Sequence, residues 1–248
     1  MSKRIALVTG GTGGIGTSIC KQLHDDGYQV IAGYYSGGNH AKAQTWQDQM
    51  NLDGYDIALA YGNIRDFSSC EACIDGIRKD FGVVDVLVNN GGITRDTTLR
   101  KMTPEDWDDV IATNLTSVFY MTRLVVNDMI KQKSGRIINI SSINGEKGQF
   151  GQANYSAAKA GMYGFTKAVA QEVASKGITV NTVSPGYVAT SMIMDVAEEI
   201  REQIREGIPV GRFGKPEEIA NVVSFLAKEE SGFITGANIS ANGGQYMR

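Results

Sequence analysis

Histidine and cysteine are scarce in this chain: His24 and His40 are the only imidazoles in 248 residues, and Cys20, Cys70 and Cys73 are the only thiols. The pair in "CEAC" at 70–73 has no second ligand pair to complete a metal site, so no metal is expected, and packing or simple exposure is the expected role of the thiols. Positive charge is thin as well. Lys and Arg number 24 against 27 Asp and Glu, a formal net charge of −3 with a pI near 5.5. Such a surface repels a phosphate backbone, and nucleic acid is not an expected partner. Long apolar runs are missing too. The start "MSKRIALVTGG" holds an apolar run of only four residues before glycine, too short for a signal-peptide core or a membrane span. A soluble, cytoplasmic protein with no membrane partner is expected.

Low-complexity segments and repeats of solenoid length are absent; short β-branched runs alternate instead with longer stretches of helical period. The strand candidates are "RIALVTG", "YQVIAGYY", "YDIALAYGN", "VDVLVNN", "GRIINISS", "GITVNTVSP" and "GANISANGG". Several are apolar without strict alternation, as happens when both faces of a sheet are covered. The expected fold class is therefore α/β: one doubly wound parallel sheet of seven strands with helices on both faces. With 42% hydrophobic residues, one domain over residues 1–248 can fill a single core.

Sheets of this kind bind ligands at the carboxyl ends of their strands. After the first candidate strand comes "TGGTGGIG", with Gly10, Gly14 and Gly16 leading into a helix. Glycines there let the backbone turn sharply and approach a pyrophosphate, which the helix N-terminus favours through its free N–H groups. The spacing lacks the Lys-Ser/Thr ending of an ATP-binding P-loop, so a Rossmann-type dinucleotide site is expected. The acidic residue that would hold an adenosine ribose 2′-hydroxyl belongs at the end of the second strand, where this chain reads "YYSGG". Ser36 and its neighbours offer no carboxylate to repel a 2′-phosphate, while His40 and Lys42 follow closely. NADP is the expected cofactor, with Lys42 beside the phosphate.

One further pattern carries chemistry. Tyr155 and Lys159 in "YSAAK" are four apart; on a helix they share a face with a rise of about 6 Å. At an effective dielectric near 20, an ammonium at that distance is worth on the order of 3 kcal/mol, about two pKa units. A phenol near 10 is thereby expected to approach about 8 and to give up a proton near neutral pH.

Together, "TGGTGGIG", "NNGG" at 89–92, Asn114 in "ATNLTSVF", Ser142 in "NISS", "YSAAK" and "SPG" at 184–186 resemble the short-chain dehydrogenase/reductase family in its usual order, over residues 4–244. One departure is Gly91, where the family usually has alanine. The resemblance implies that Asn114, Ser142, Tyr155 and Lys159 are catalytic. Ser142 would hydrogen-bond the substrate carbonyl, Tyr155 would be the general acid, Lys159 would also hold the nicotinamide ribose, and Asn114 would anchor a water that resupplies the proton. It further implies that Gly10, Thr12, Gly13, Gly14, Ile15 and Gly16 cradle the cofactor, with Asn63 and Ile64 beside adenine. Asn90, Gly91 and Gly92 would line the cofactor, and Pro185, Gly186, Val188 and Thr190 would cover the nicotinamide.

Substrate is the next implication. The segments "NNGGITRD", "KGQFGQANYS" and "SPGYVAT" are similar to those of family members that reduce acetoacetyl-CoA with NADPH to (R)-3-hydroxybutanoyl-CoA in polyhydroxybutyrate synthesis. The alternative is the same acyl unit carried on acyl-carrier protein. Gln149, Phe150 and Gln152 would then approach the reacting carbon, Tyr187 would close over it, and Asp96 would border the entrance. Arg95, Arg100 and Lys101 would meet either CoA phosphates or an acidic carrier protein. Met192, Ile193 and Met194 would either form an apolar substrate lid, placed around 188–212, or fill the core, as methionines at helical spacing more often do, and the family suggests a homotetramer.

Overall fold

The computed structural model describes residues 3–247, with the side chains of Ser36 and Met192 outside the described part. Every one of the seven apolar runs becomes a parallel strand: β1 (Ile5–Thr9), β2 (Gln29–Tyr34), β3 (Ile57–Tyr61), β4 (Val86–Asn89), β5 (Gly135–Ile140), β6 (Ile178–Pro185) and β7 (Asn238–Ala241). They form one sheet in the order β3-β2-β1-β4-β5-β6-β7. The order reverses beside β1, and a crevice opens there at the strands' carboxyl ends.

Ten α-helices connect the strands among the described residues. α1 (Gly14–Asp25), α2 (His40–Leu52) and α3 (Phe67–Asp80) serve the first half, followed by α4 (Pro104–Ile111), α5 (Ser117–Gln132) and the short α6 (Ile143–Lys147). The second half carries α7 (Ala153–Val173), α8 (Ser191–Met194), α9 (Glu198–Glu206) and α10 (Pro216–Ala227). Their starts are chemically marked. Asp66 caps α3 by accepting the Ser69 N–H at 2.8 Å, and Thr103 caps α4 with Pro104 as its first residue and Asp106 returning a bond.

Side chains alternate across the sheet and fill two cores. Val30 and Ala32 join Ile19 and Leu23 of α1 and Val223 and Leu226 of α10 on one face. Ile31, with Leu7 and Leu87, joins Met121 and Val125 of α5 on the other. Each large apolar side chain so buried contributes about 1.5–3 kcal/mol, which is why both faces must be covered. The thiols belong to this packing: Cys20 and Cys70 are buried, and burial pushes Cys70 up to about 12 and Cys73 up to about 11, keeping them neutral. No helix is long and apolar enough to cross a membrane, and no group of three or more His, Cys, Asp or Glu is placed to hold a metal, among the described residues.

Candidate active site

The crevice holds a groove of about 560 Å³, adjoined beside Tyr34, Tyr35 and Gly91 by an apolar cavity of about 340 Å³. The glycine loop forms its floor. Gly10 has φ +61°, and a Cβ there would meet the Gly91 backbone at 3.0 Å; a Cβ on Gly16 would fall 2.2 Å from the Gly10 carbonyl. Only glycine allows that close return of chain. Thr12, Gly13, Gly14 and Ile15 line the same groove. Asn90 braces the loop, its amide donating to the Thr9 and Gly10 carbonyls at 3.0 and 3.1 Å. This tightly returned loop, bare of side chains at Gly10, Gly13, Gly14 and Gly16 and leading into the start of α1, fits the diphosphate of a dinucleotide.

Asn63 and Ile64 line the cavity with Gly91 and Gly92. The departure at Gly91 has a local explanation, since a Cβ there would press on Ile64 Cδ1 at 2.7 Å. Lys42 lines the groove at its far end. Pro185, Gly186 and Thr190 line the opposite wall. Val188 does not: it is buried in the core and bridges to Gly214.

Ser142 lies two residues beyond β5 and caps α6, where its Oγ accepts the Asn144 N–H at 3.1 Å. The same hydroxyl also hydrogen-bonds the Tyr155 phenol, so the oxygen accepts from Asn144 while its proton faces Tyr155. On α7, Tyr155 and Lys159 both reach the groove with Ser142, the Lys159 Nζ 5.6 Å from the centre of the Tyr155 ring. The Lys159 ammonium donates to the Ile140 carbonyl at 2.7 Å. Helix α7 lies close enough for this because Gly145 abuts its backbone; a Cβ there would stand 2.8 Å from the Lys159 carbonyl carbon.

The expected lowering of the phenol is not found. Burial raises Tyr155 above its ordinary value; the Ser142 hydrogen bond opposes this, and the charge of Asp96 and the neighbouring Tyr163 add to it. Burial also brings Lys159 down to about 8. Reasoning from the pair distance missed the desolvation of both groups, and Lys159 is not among the neighbours that move Tyr155.

Asn114 sits in a single π-helical turn, Ala112–Thr116, between α4 and α5. Its amide clamps residue 93 from both sides, with Oδ1 accepting the Ile93 N–H and Nδ2 donating to the Ile93 carbonyl, each at 2.8 Å. A Cβ on Gly92 would stand 3.2 Å from that Oδ1 and 3.7 Å from Lys159 Nζ, so Asn114 and Lys159 meet at this loop.

The substrate candidates are only partly gathered. Gln152 donates to Asp96 at 2.7 Å and accepts from the Asn144 amide at 2.9 Å, linking the entrance to the segment that holds Ser142. Asp96 also raises Tyr187 electrostatically, after burial, as it does Tyr155. Tyr187 itself lines a separate cavity of about 270 Å³. Phe150 is 87% exposed and covers nothing, and Gln149 is engaged by Lys147 at 3.1 Å. Arg95 faces Asp109 at 3.7 Å, whereas Arg100 and Lys101 are exposed without an ion pair among the described residues. In α8, Ile193 is half-buried and Met194 exposed, while the side chains of Met192 and, at the groove's other end, Ser36 are outside the described part.

Several groups escaped the sequence reading. Tyr34, Tyr35, Ile93 and Thr94 line the groove. The position of both tyrosines at the carboxyl end of β2 was the signal available for them. Tyr163 donates to the Ser142 carbonyl at 3.0 Å and lies 3.0 Å from Ser184 Oγ, tying the segment after β5 to β6. Nothing in the sequence marks that role.

A family model described as short chain dehydrogenase matches residues 4–201. The acetoacetyl-CoA reductase of Cupriavidus necator is 53% identical over 247 residues, covering 100% of both chains. That of Rhizobium meliloti is 54% identical over 248 residues, covering 98% of this chain and 99% of its own. The 3-oxoacyl-[acyl-carrier-protein] reductase FabG of Escherichia coli is 46% identical over 244 residues, covering 98% of both.

Proposed function

The chain belongs to the short chain dehydrogenase family and is an oxidoreductase acting on a CH–OH group, and from that premise we propose that it reduces acetoacetyl-CoA to (R)-3-hydroxybutanoyl-CoA with NADPH. The observation that carries the substrate is the higher full-length identity to acetoacetyl-CoA reductases, 53% and 54%, than to the carrier-protein reductase, 46%. The chemistry is carried by the meeting of Ser142, Tyr155 and Lys159 in one groove.

When bound, the nicotinamide supplies a hydride to C3 of the thioester. Ser142 holds the C3 carbonyl oxygen by turning onto it the O–H that otherwise hydrogen-bonds Tyr155. Tyr155 then gives its phenolic proton to that oxygen as negative charge develops, and its raised pKa keeps the proton in place until then. Lys159 stabilises the phenolate left behind and holds the ribose, while Asn114 fixes the loop over which a replacement proton arrives. Gly10, Gly14 and Gly16 would hold the diphosphate, and Lys42 the 2′-phosphate. Arg100 and Lys101 would meet the phosphates of CoA. The reading extends to a single domain with a lid around 188–212, to a cytoplasmic homotetramer and to polyhydroxybutyrate synthesis.

The test is kcat/KM for acetoacetyl-CoA against acetoacetyl-acyl-carrier protein, each with NADPH and NADH. NADPH with the CoA ester is expected to be best, with activity falling beyond about six carbons because a misfit methylene costs roughly 1–3 kcal/mol. A clear preference for the carrier protein would move the enzyme to fatty-acid synthesis.

A further inference from the structure

The end of β2 carries a ring cluster that the proton chemistry does not use. Tyr34 lines both the groove and the adjoining apolar cavity, and its hydroxyl is 2.7 Å from Nδ1 of His40. The His40 ring stands 4.8 Å from that of Tyr61, and Tyr61 stands 5.6 Å from Tyr34. Lys42, two residues further along α2, lines the groove as well.

A single proton occupies the Tyr34–His40 contact, and where it comes from decides what Tyr34 offers the groove. With Nδ1 bare, the phenol donates to it and its proton is committed. With Nδ1 protonated, the phenol oxygen accepts, and its own O–H must turn elsewhere. An imidazolium is protonated on both nitrogens and leaves only the second arrangement.

We propose that His40, acting through Tyr34, is a specificity-determining residue for the 2′-phosphate of the cofactor: protonated, it releases the Tyr34 O–H as a donor and adds positive charge beside Lys42. This rests on the NADP reading given above. The groups that face His40 are Tyr34 from β2 and Tyr61 from β3, with Tyr35 against Tyr61 and Lys42 on its own helix. No carboxylate pairs with it among the described residues. The Asn39 side chain is engaged in capping α2 through the Lys42 N–H at 3.1 Å, so it does not compete for the phosphate. Binding of a dianion and protonation of His40 therefore favour one another, and a ligand bearing the phosphate takes up a proton as it binds. His40 is exposed, so its replacement leaves the fold intact.

Calorimetric binding of adenosine 2′,5′-bisphosphate, with adenosine 5′-monophosphate as the ligand lacking the 2′-group, tests this without turnover. The 2′-phosphate itself titrates near pH 6, so the informative quantity is the variant-to-parent ratio of Kd at each pH. For His40→Gln and Tyr34→Phe the bisphosphate ratio is expected to be about three- to tenfold near pH 6.5, as suits a partly exposed charge-assisted bond, and to fall toward about one near pH 8.5. The monophosphate ratio stays near one throughout. Proton uptake, read from the dependence of enthalpy on the buffer, should be present in the parent and lost in His40→Gln. Lys42→Ala should weaken the bisphosphate at every pH. A His40→Gln ratio that is flat with pH, or near one, overturns the role of His40 while NADP preference stands. Equal affinity of the parent for both nucleotides overturns the NADP reading and this inference with it.

Discussion

Burial moves the two reacting groups toward their neutral forms, Tyr155 upward and Lys159 down to about 8. For a reductase the neutral phenol is the useful species, because it still has a proton to give. Tyr155→Phe removes that proton and little else; NADPH affinity should hold while turnover falls at least about 100-fold. Stopped-flow hydride transfer checks it, and a variant of near-normal rate would reassign the acid. The ammonium is the costly partner. A lysine in the unfolded chain titrates near 10.4, so between about pH 8 and 10.4 the unfolded chain binds more protons and stability rises with pH. Below about pH 8 both states are charged and the full cost of burying the ammonium applies. Lys159→Met removes that cost along with one bond to the Ile140 carbonyl. The cofactor-free variant should gain on the order of 2 kcal/mol over the parent near pH 7, an advantage that shrinks toward pH 10, in urea unfolding. Equal stability at both pH values would show that the buried ammonium carries no penalty.

Elements differ in how openly they are written in the chain. All seven strands were legible, because runs such as "IALVT" and "ITVNTVSP" must be apolar on both faces to be covered on both. The shared face of Tyr155 and Lys159 on α7 was legible from their spacing taken with the family motifs around them, whereas the start of α7 at Ala153 was not. The π turn at Ala112–Thr116 was not, since an i→i+5 bond leaves no periodic trace in a helix. Nor was the buried seam in which Asn89 donates to Asn139 and Asn139 to Thr166, each at 2.9 Å, joining β4, β5 and α7. Desolvation was invisible for the same reason: burial is a property of the assembled fold. Because the π turn aims Asn114 at Ile93, Asn114→Ala should leave both polar groups of that residue unpaired. We expect turnover to fall by about tenfold or more and amide exchange at residues 92–94 to accelerate, with the strands' protection unchanged. Unchanged exchange there would mean that the loop holds itself.

At the scale of the molecule, two apolar surfaces are left over once the sheet is covered. On one side α3 and α5, which bury Ile74, Ile77, Met121 and Val125 inward, turn Phe67 and Phe119 outward, with Tyr120 against both rings. On the other, α10 buries Ile219, Val223 and Leu226 and leaves Phe225 half exposed, followed by Phe233 fully in solvent. A phenylalanine taken from water contributes about 1.5–3 kcal/mol, so faces like these favour association. The two surfaces lie on opposite faces of one sheet and cannot serve the same contact. If each pairs with its own copy about a two-fold axis, one contact alone closes a dimer and both together close a tetramer. The family expectation of four subunits thus acquires a separable test. The parent should scatter light as four chains at micromolar concentration. Phe119→Asp and Phe225→Asp, both at exposed positions that the fold does not need, should each give dimers, and the double variant monomers. A parent that runs as a single chain would leave both surfaces without a partner of this kind, whereas a dimer lost in only one of the single variants would keep that surface and discard the other.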